Sequence, residues 1–264
     1  MTPQHIEPEA VTGKEVVYGY DTEGRPGFYM FPSRQNTDEP TRQIQFAVWM
    51  LERCIDLMRP GVEYVAFFNP SSNNLLTRGS RTLTLLINYA DKAKSPSIST
   101  ARAVLNILQE HYPERLGKAL IIKIPFYINA FFKIIMPFVD PVTSEKVKFN
   151  PEVTKDGYFT PEMLLSGTWE GACDFEYEHE KYWPALVSLC EERKKTWIQK
   201  WRALGGTVGI KEWEYKREGA EQTPAEEPPR YSVIGVAVSC DEENATQNGH
   251  ANGSAPEAAV VNIG

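Results

Sequence analysis

Residues 126–139 contain 11 apolar side chains out of 14, interrupted only by Asn129, Lys133 and Pro137. A helix that is apolar on nearly every side must be buried in a core, lie in a membrane or cover something greasy. The stretch sits between two charged clusters, Glu114 and Arg115 before it and residues 140–146 after it. Residues 119–139 are long enough to span a bilayer, but they carry Lys123 and Lys133. Each lysine costs about 2.5–3.5 kcal/mol at mid-bilayer, and Pro125 and Pro137 divide the run. The pattern therefore reads as a buried strand over 119–124, a turn at Pro125 and a helix to about Met136.

Charge separates the body of the chain from its end. Of a net charge of −7, residues 219–264 contribute −6, from seven acids against Arg230, which leaves −1 for the rest. No strongly basic surface follows, which argues against a nucleic-acid partner. The Pro, Glu, Ala, Asn and Gly of 219–264 cannot bury enough apolar surface to offset ordering, so an acidic disordered tail is expected. Cys54, Cys173, Cys190 and Cys240 lack metal-type spacing and read as reduced thiols. No charged n-region followed by an apolar run opens the sequence, so no signal peptide is expected. There is no G-x-S-x-G elbow, phosphate-binding glycine loop or paired histidine motif, so neither an enzyme nor a metal site is expected.

The rest of the sequence supplies alternating elements. Residues 1–12 read as a loose arm. Residues 15–20 and 28–31 form a strand pair around the turn-rich 21–27. Thr41 precedes a helix with Ile44, Val48, Leu51, Ile55 and Met58 at helical spacing. Strand candidates follow at 62–68 and 82–88. A helix from about Ser97, with Ala101, Leu105, Leu108 and Tyr112 on one face, then leads into strand 119–124. That strand–helix–strand order favours parallel pairing. Residues 178–204 form a long amphipathic helix carrying Tyr182, Leu186, Leu189, Trp197, Trp201 and Leu204, which Gly205 and Gly206 end.

Residues 112–149 run through Tyr112-Pro113-Glu114-Arg115, a strand closing on Ile124-Pro125, the apolar helix, and Asp140-Pro141-Val142-Thr143 followed by Lys146. These motifs resemble the CRAL-TRIO lipid-binding domain, in particular the Sec-fourteen-like phosphatidylinositol transfer proteins of fungi. Gly24-Arg25-Pro26 and the SPSIST segment at 95–100 fit as well, and the likeness covers roughly 13–210.

The resemblance implies an α/β CRAL-TRIO fold, with a mostly parallel sheet floor, flanking helices and a deep apolar pocket closed by a gate helix. Two departures stand out: residues 64–81 look inserted, and the helical lobe that usually precedes the lipid-binding lobe is lacking. The implied activity is non-enzymatic binding of a phospholipid, most often phosphatidylinositol, and its transfer between membranes. The alternatives are a carrier of a sterol or other hydrophobic ligand, and a sensing scaffold that presents lipid to a kinase. No cofactor is implied beyond the bound lipid. A cytoplasmic monomer that touches membranes transiently is expected.

By the same resemblance, Glu114 and Lys146 contact the headgroup. Arg115, Tyr112 and Thr143 add donors, and Thr84 (or Thr82) supplies a strand hydroxyl. Lysine offers a compact charge to phosphate, and a carboxylate accepts from inositol hydroxyls. Phe126, Phe131, Phe132, Ile135 and Phe138 form the gate and pocket lining. Asp140 is read as a helix cap rather than a lipid contact.

Overall fold

A computed structural model describes residues 1–58, 82–90 and 97–216. The strand expected at 62–68, the insertion at 64–81 and the acidic tail lie outside these residues.

Strands β1 (Glu15–Tyr20) and β2 (Pro26–Met30) pair antiparallel. The Asp21 carboxylate closes their turn, accepting the backbone N–H of Glu23 at 2.9 Å and of Arg25 at 2.8 Å. Gly24 takes the left-handed conformation (φ 78°) that the turn requires. The chain then crosses over three times. Helix α2 (Pro40–Asp56) leads to β3 (Leu83–Asn88), and α3 (Ile98–His111) leads to β4 (Leu116–Ile122). Helix α4 (Phe126–Ile135) and the short α5 (Pro141–Glu145) lead to β5 (Val147–Phe149). Strands β2 to β5 are parallel, in the sheet order β1-β2-β3-β4-β5. This is the mostly parallel α/β sheet that the strand–helix–strand reading demands.

Alternation along the strands sorts residues between two faces. Ile87, Ile121 and Val147 pack with Ile128 of α4, so they lie on the face that α4 covers. Tyr29, Leu86 and Asn88 point to the other face. There Tyr29 meets Trp169 of α6 (Ser166–Trp169) edge-on at 6.0 Å, and the Asn88 amide donates to the Thr168 carbonyl at 2.6 Å. The main core draws on both faces of β1 and β2, with Val16 and Val17 and also Phe28 and Tyr29 buried in it, and joins them to α2 and to α7 (His179–Ala203), where Phe46, Met50 and Leu186 are fully buried.

Helix α7 also protects the sheet edge. The Tyr182 hydroxyl accepts from Val17 N–H at 2.7 Å and donates to the Val17 carbonyl at 3.1 Å, which satisfies the free rim of β1. Its C-terminus stops at Gly205 and Gly206, both with positive φ, as the sequence signals.

Three sequence expectations need correction. Residues 1–12 are not a loose arm: α1 (Pro3–Ala10) is capped by Thr2 and buries Ile6, Glu9 and Ala10. The buried Glu9 carboxylate binds Lys14, Thr37 (2.6 Å) and Arg42 (2.8 Å), so tertiary contacts order a segment with few apolar residues. In α2 the helix starts at Pro40, with Glu39 in the cap position, and Thr41 is exposed. Its buried face runs through Phe46, Trp49, Met50, Arg53 and Leu57 rather than Ile44, Val48 and Ile55. In α7, burial ends at Cys190, and Leu204 is exposed.

Candidate lipid-binding site

Strand β4 and helix α4 meet at a corner formed by Lys123, which adopts a left-handed φ of 54°, and by Pro125 in the N-cap position. Helix α4 therefore begins at Phe126, as the sequence indicates, and continues in a 3-10 turn over Met136–Phe138. Its inner stripe follows helical spacing. Ile128 is fully buried, Phe131 and Phe132 are half-buried, and Ile135 is buried. Phe132 packs edge-on against Tyr89 (6.0 Å) and Phe149 (5.3 Å).

Among the described residues, Tyr89, Ile121 and Ile128 make up the buried centre of this contact, and α4's own side chains rest on the sheet where the lipid pocket is expected. A separate cavity of about 260 Å³ between α2, α7 and α8 (Glu212–Lys216) is lined by Leu189, Arg193, Trp197, Lys200 and others, with no residue of α4. It lies below the roughly 300–1,000 Å³ of ordinary ligand sites.

The outer side of α4 is apolar as well. Phe126 is 89% exposed, and Tyr127 and Ile134 are about half exposed. Phe138, Val142 and Phe149 extend this surface, with the Arg102 guanidinium 4.3 Å above the Phe138 ring. Phe131, Phe132 and Ile135 therefore face or flank the sheet, whereas Phe126 and Phe138 face solvent. No helix among the described residues is long and apolar enough to cross a membrane.

The polar candidates divide into two groups. Glu114 and Lys146 sit just ahead of β4 and β5. The Lys146 carbonyl accepts from Ala119 N–H at 3.0 Å, which ties the end of α5 to β4. Glu114 is exposed and holds a left-handed φ of 60°. Neither side chain engages a partner among the described residues. Arg115 lies 3.8 Å from Glu212 of α8, and its carbonyl accepts from Leu83 N–H.

The remaining candidates are committed within the protein. The Tyr112 hydroxyl donates to Glu52 of α2 at 2.5 Å, and burial together with that carboxylate pushes its pKa up to about 12. Thr143 N–H donates to Asp140 at 2.9 Å, which confirms Asp140 as the cap of α5; bonds from Thr143 hold this carboxyl below its usual range. Thr84 is fully buried and donates to Asp21 at 2.7 Å. It pairs with Lys118 one position out of phase with Leu85 and Ile87, so it points away from α4. Of the β3 positions on the other side, Ile87 packs on the cluster beneath α4, whereas Leu85 packs on the main core. The sequence reading missed Ile87, together with Tyr89 and Ile128, although parity counted from Ile121 identifies the strand positions.

Residues 10–166, from the end of α1 into α6, match the CRAL/TRIO domain. The chain belongs to that family. CRAL-TRIO domain-containing protein C23B6.04c of Schizosaccharomyces pombe is 44% identical over 218 residues, 82% of this chain and 20% of that protein. Phosphatidylinositol transfer protein PDR17 of Saccharomyces cerevisiae is 33% identical over 228 residues, 84% of this chain and 59% of that protein. The chain thus spans less than two thirds of either relative. Among solved structures, the crystal structure of Sfh5 aligns over 65% of this chain and 58% of that one, at 15% identity and a TM-score of 0.41. Among the described residues of the CRAL/TRIO domain, the apolar α4 crosses from the end of β4 towards β5, and the side chains of Glu114 and Lys146 stand unpaired in the turns before those two strands.

Proposed function

We propose that this chain binds a phospholipid, phosphatidylinositol, between α4 and the sheet, and passes it to a bilayer while α4 is raised. The observation that carries the reading is that α4 is apolar on both sides yet seated on only a small buried cluster. Burying Ile128 and Ile135 is worth about 1.5–3 kcal/mol each, whereas two acyl chains of roughly 30 methylenes are worth on the order of 20 kcal/mol. Lipid in the site outcompetes α4 for the sheet. It leaves by direct passage into a membrane, since release into water forfeits the whole of that energy.

Kinship with a protein named for phosphatidylinositol transfer supports the choice of headgroup. So do the unpaired Glu114 and Lys146, one of each sign, at the starts of neighbouring strands. Glu114 occupies a left-handed position that glycine would fill without strain, which is a common mark of a functional residue. The exposed Phe126, Ile134, Phe138 and Val142 serve as the surface that meets the membrane. Binding needs no covalent chemistry. The free buried thiols of Cys54, Cys173 and Cys190 suit the reducing cytoplasm.

The test is transfer of labelled phosphatidylinositol between vesicles. Losing one partner of a charge-assisted hydrogen bond costs about 1.5–3 kcal/mol, so Glu114→Ala and Lys146→Ala should each weaken binding roughly ten- to hundredfold. Phe132→Asp should abolish binding of every lipid. If both alanine variants transfer phosphatidylinositol at the parent rate, the headgroup assignment is wrong.

A further inference from the structure

Tyr89 follows β3 directly. Its backbone N–H donates to the Ile122 carbonyl at 3.1 Å, which extends the β3–β4 pairing by one residue and places the ring on the face shared by Ile87 and Ile121. There the ring meets Phe132 of α4 edge-on, and only 6% of the residue is exposed. The side chains clustered around it are apolar: Ile87, Ile121, Ile124, Ile128, Phe132 and Val147. Among the described residues the hydroxyl has no hydrogen-bond partner.

Phenylalanine would fill this cluster equally well. A phenol without an acceptor in the protein gives the fold nothing that phenylalanine would not. Burial also pushes its pKa up to about 12, so at neutral pH it is an uncharged donor. A neutral donor on a ring that is otherwise set among apolar side chains suits one acceptor on a ligand that is apolar elsewhere.

We propose that Tyr89 is a specificity-determining contact of the lipid site, its hydroxyl donating a hydrogen bond to a glycerol ester carbonyl of the bound phospholipid. This rests on the phospholipid reading above. Leu85, Ile87, Ala119 and Ile121 offer that face no polar side-chain atom, so the ester carbonyls, the acceptors nearest the acyl chains, fall to Tyr89. Tyr89 and Lys146 are bonded to Ile122 and Ala119 on opposite sides of β4. Three residues along the strand and two strand spacings across separate them by roughly 14 Å of backbone. Two long side chains and one glycerophosphate bridge that interval.

The experiment compares parent and Tyr89→Phe, as full chains, for equilibrium binding of diacyl phosphatidylinositol and of its dialkyl ether analogue, which lacks both carbonyls. One neutral hydrogen bond corresponds to about a two- to tenfold effect. Tyr89→Phe should lose that factor for the diacyl lipid and nothing for the ether, and lipid-free Tyr89→Phe should melt at the parent temperature or above it. Equal losses on both lipids, or none on either, would overturn the assignment. So would a lower lipid-free melting temperature, which would reveal a partner for the hydroxyl within the protein. A parent that binds neither lipid sinks the phospholipid reading itself, a failure seen without any variant.

Discussion

The main core and the α4 contact are built differently on one sheet. Among the described residues the core buries 29 hydrophobic side chains, including those of α1, α2, α7 and the strands, and it includes the close Trp49–Trp183 pair at 4.8 Å. Beneath α4 the buried centre among the described residues is three side chains, while Phe126, Ile134 and Phe138 are exposed. The first arrangement holds the scaffold. The second is a light seat for a cover, since local opening takes less free energy where few buried contacts must break.

Truncation should expose the asymmetry. Phe46→Ala, in the main core, should cost about 3–5 kcal/mol of global stability. Glu9→Ala should cost about 3 kcal/mol, because Lys14, itself 5% exposed, loses its partner. Ile128→Ala, though equally buried, should cost no more than about 2 kcal/mol in global unfolding, because α4 lifts before the scaffold melts. Urea denaturation gives all three values. Equal costs for Phe46→Ala and Ile128→Ala would mean that α4 belongs to the main cooperative unit.

The smallest effects are electrostatic and sharpen the scaffold side. Burial alone would raise the Glu9 carboxyl, but hydrogen bonds from Lys14, Thr37 and Arg42 hold it below its usual value. Its contribution is therefore present above the ordinary carboxylate range and lost as pH falls through the lowered pKa. Glu15 is the opposite case. Burial pushes its carboxyl up to about 8, against the pull of Lys14, and one oxygen has no partner. Its contribution is full below about pH 4.5 and is lost as pH rises to about 8. Glu15→Gln should therefore raise the melting temperature at pH 8 and not at pH 4.5. Parallel melting curves for variant and parent across that range would contradict this.

What the sequence revealed depended on how local the signal was. Ser97 and Asp140 cap their helices, Pro125 marks the start of α4, and Gly205 and Gly206 end α7, all through short-range chemistry. Helix α1 was hidden because it contains Pro3 and Pro8 and little apolar surface. Its order comes from Glu9 reaching Thr37 and Arg42 across the fold. Thr84 was misread through parity: a hydroxyl on a strand faces the ligand or turns its back according to a single step of register, and only the pairing with β4 fixes that step. Glu114 and Lys146 were placed by motif, and the fold brings them to the starts of adjacent strands.

A helix that gates a lipid site must open independently of the scaffold. Amide hydrogen exchange of the full chain, with and without phosphatidylinositol-containing vesicles, tests it directly. The amides of Phe132 and Ile135 should exchange orders of magnitude faster than those of Met50 and Cys54 in lipid-free protein. Vesicles should change the protection of α4 and leave α2 unaltered. Protection of α4 equal to that of α2, unmoved by vesicles, would show a fixed helix and contradict the account.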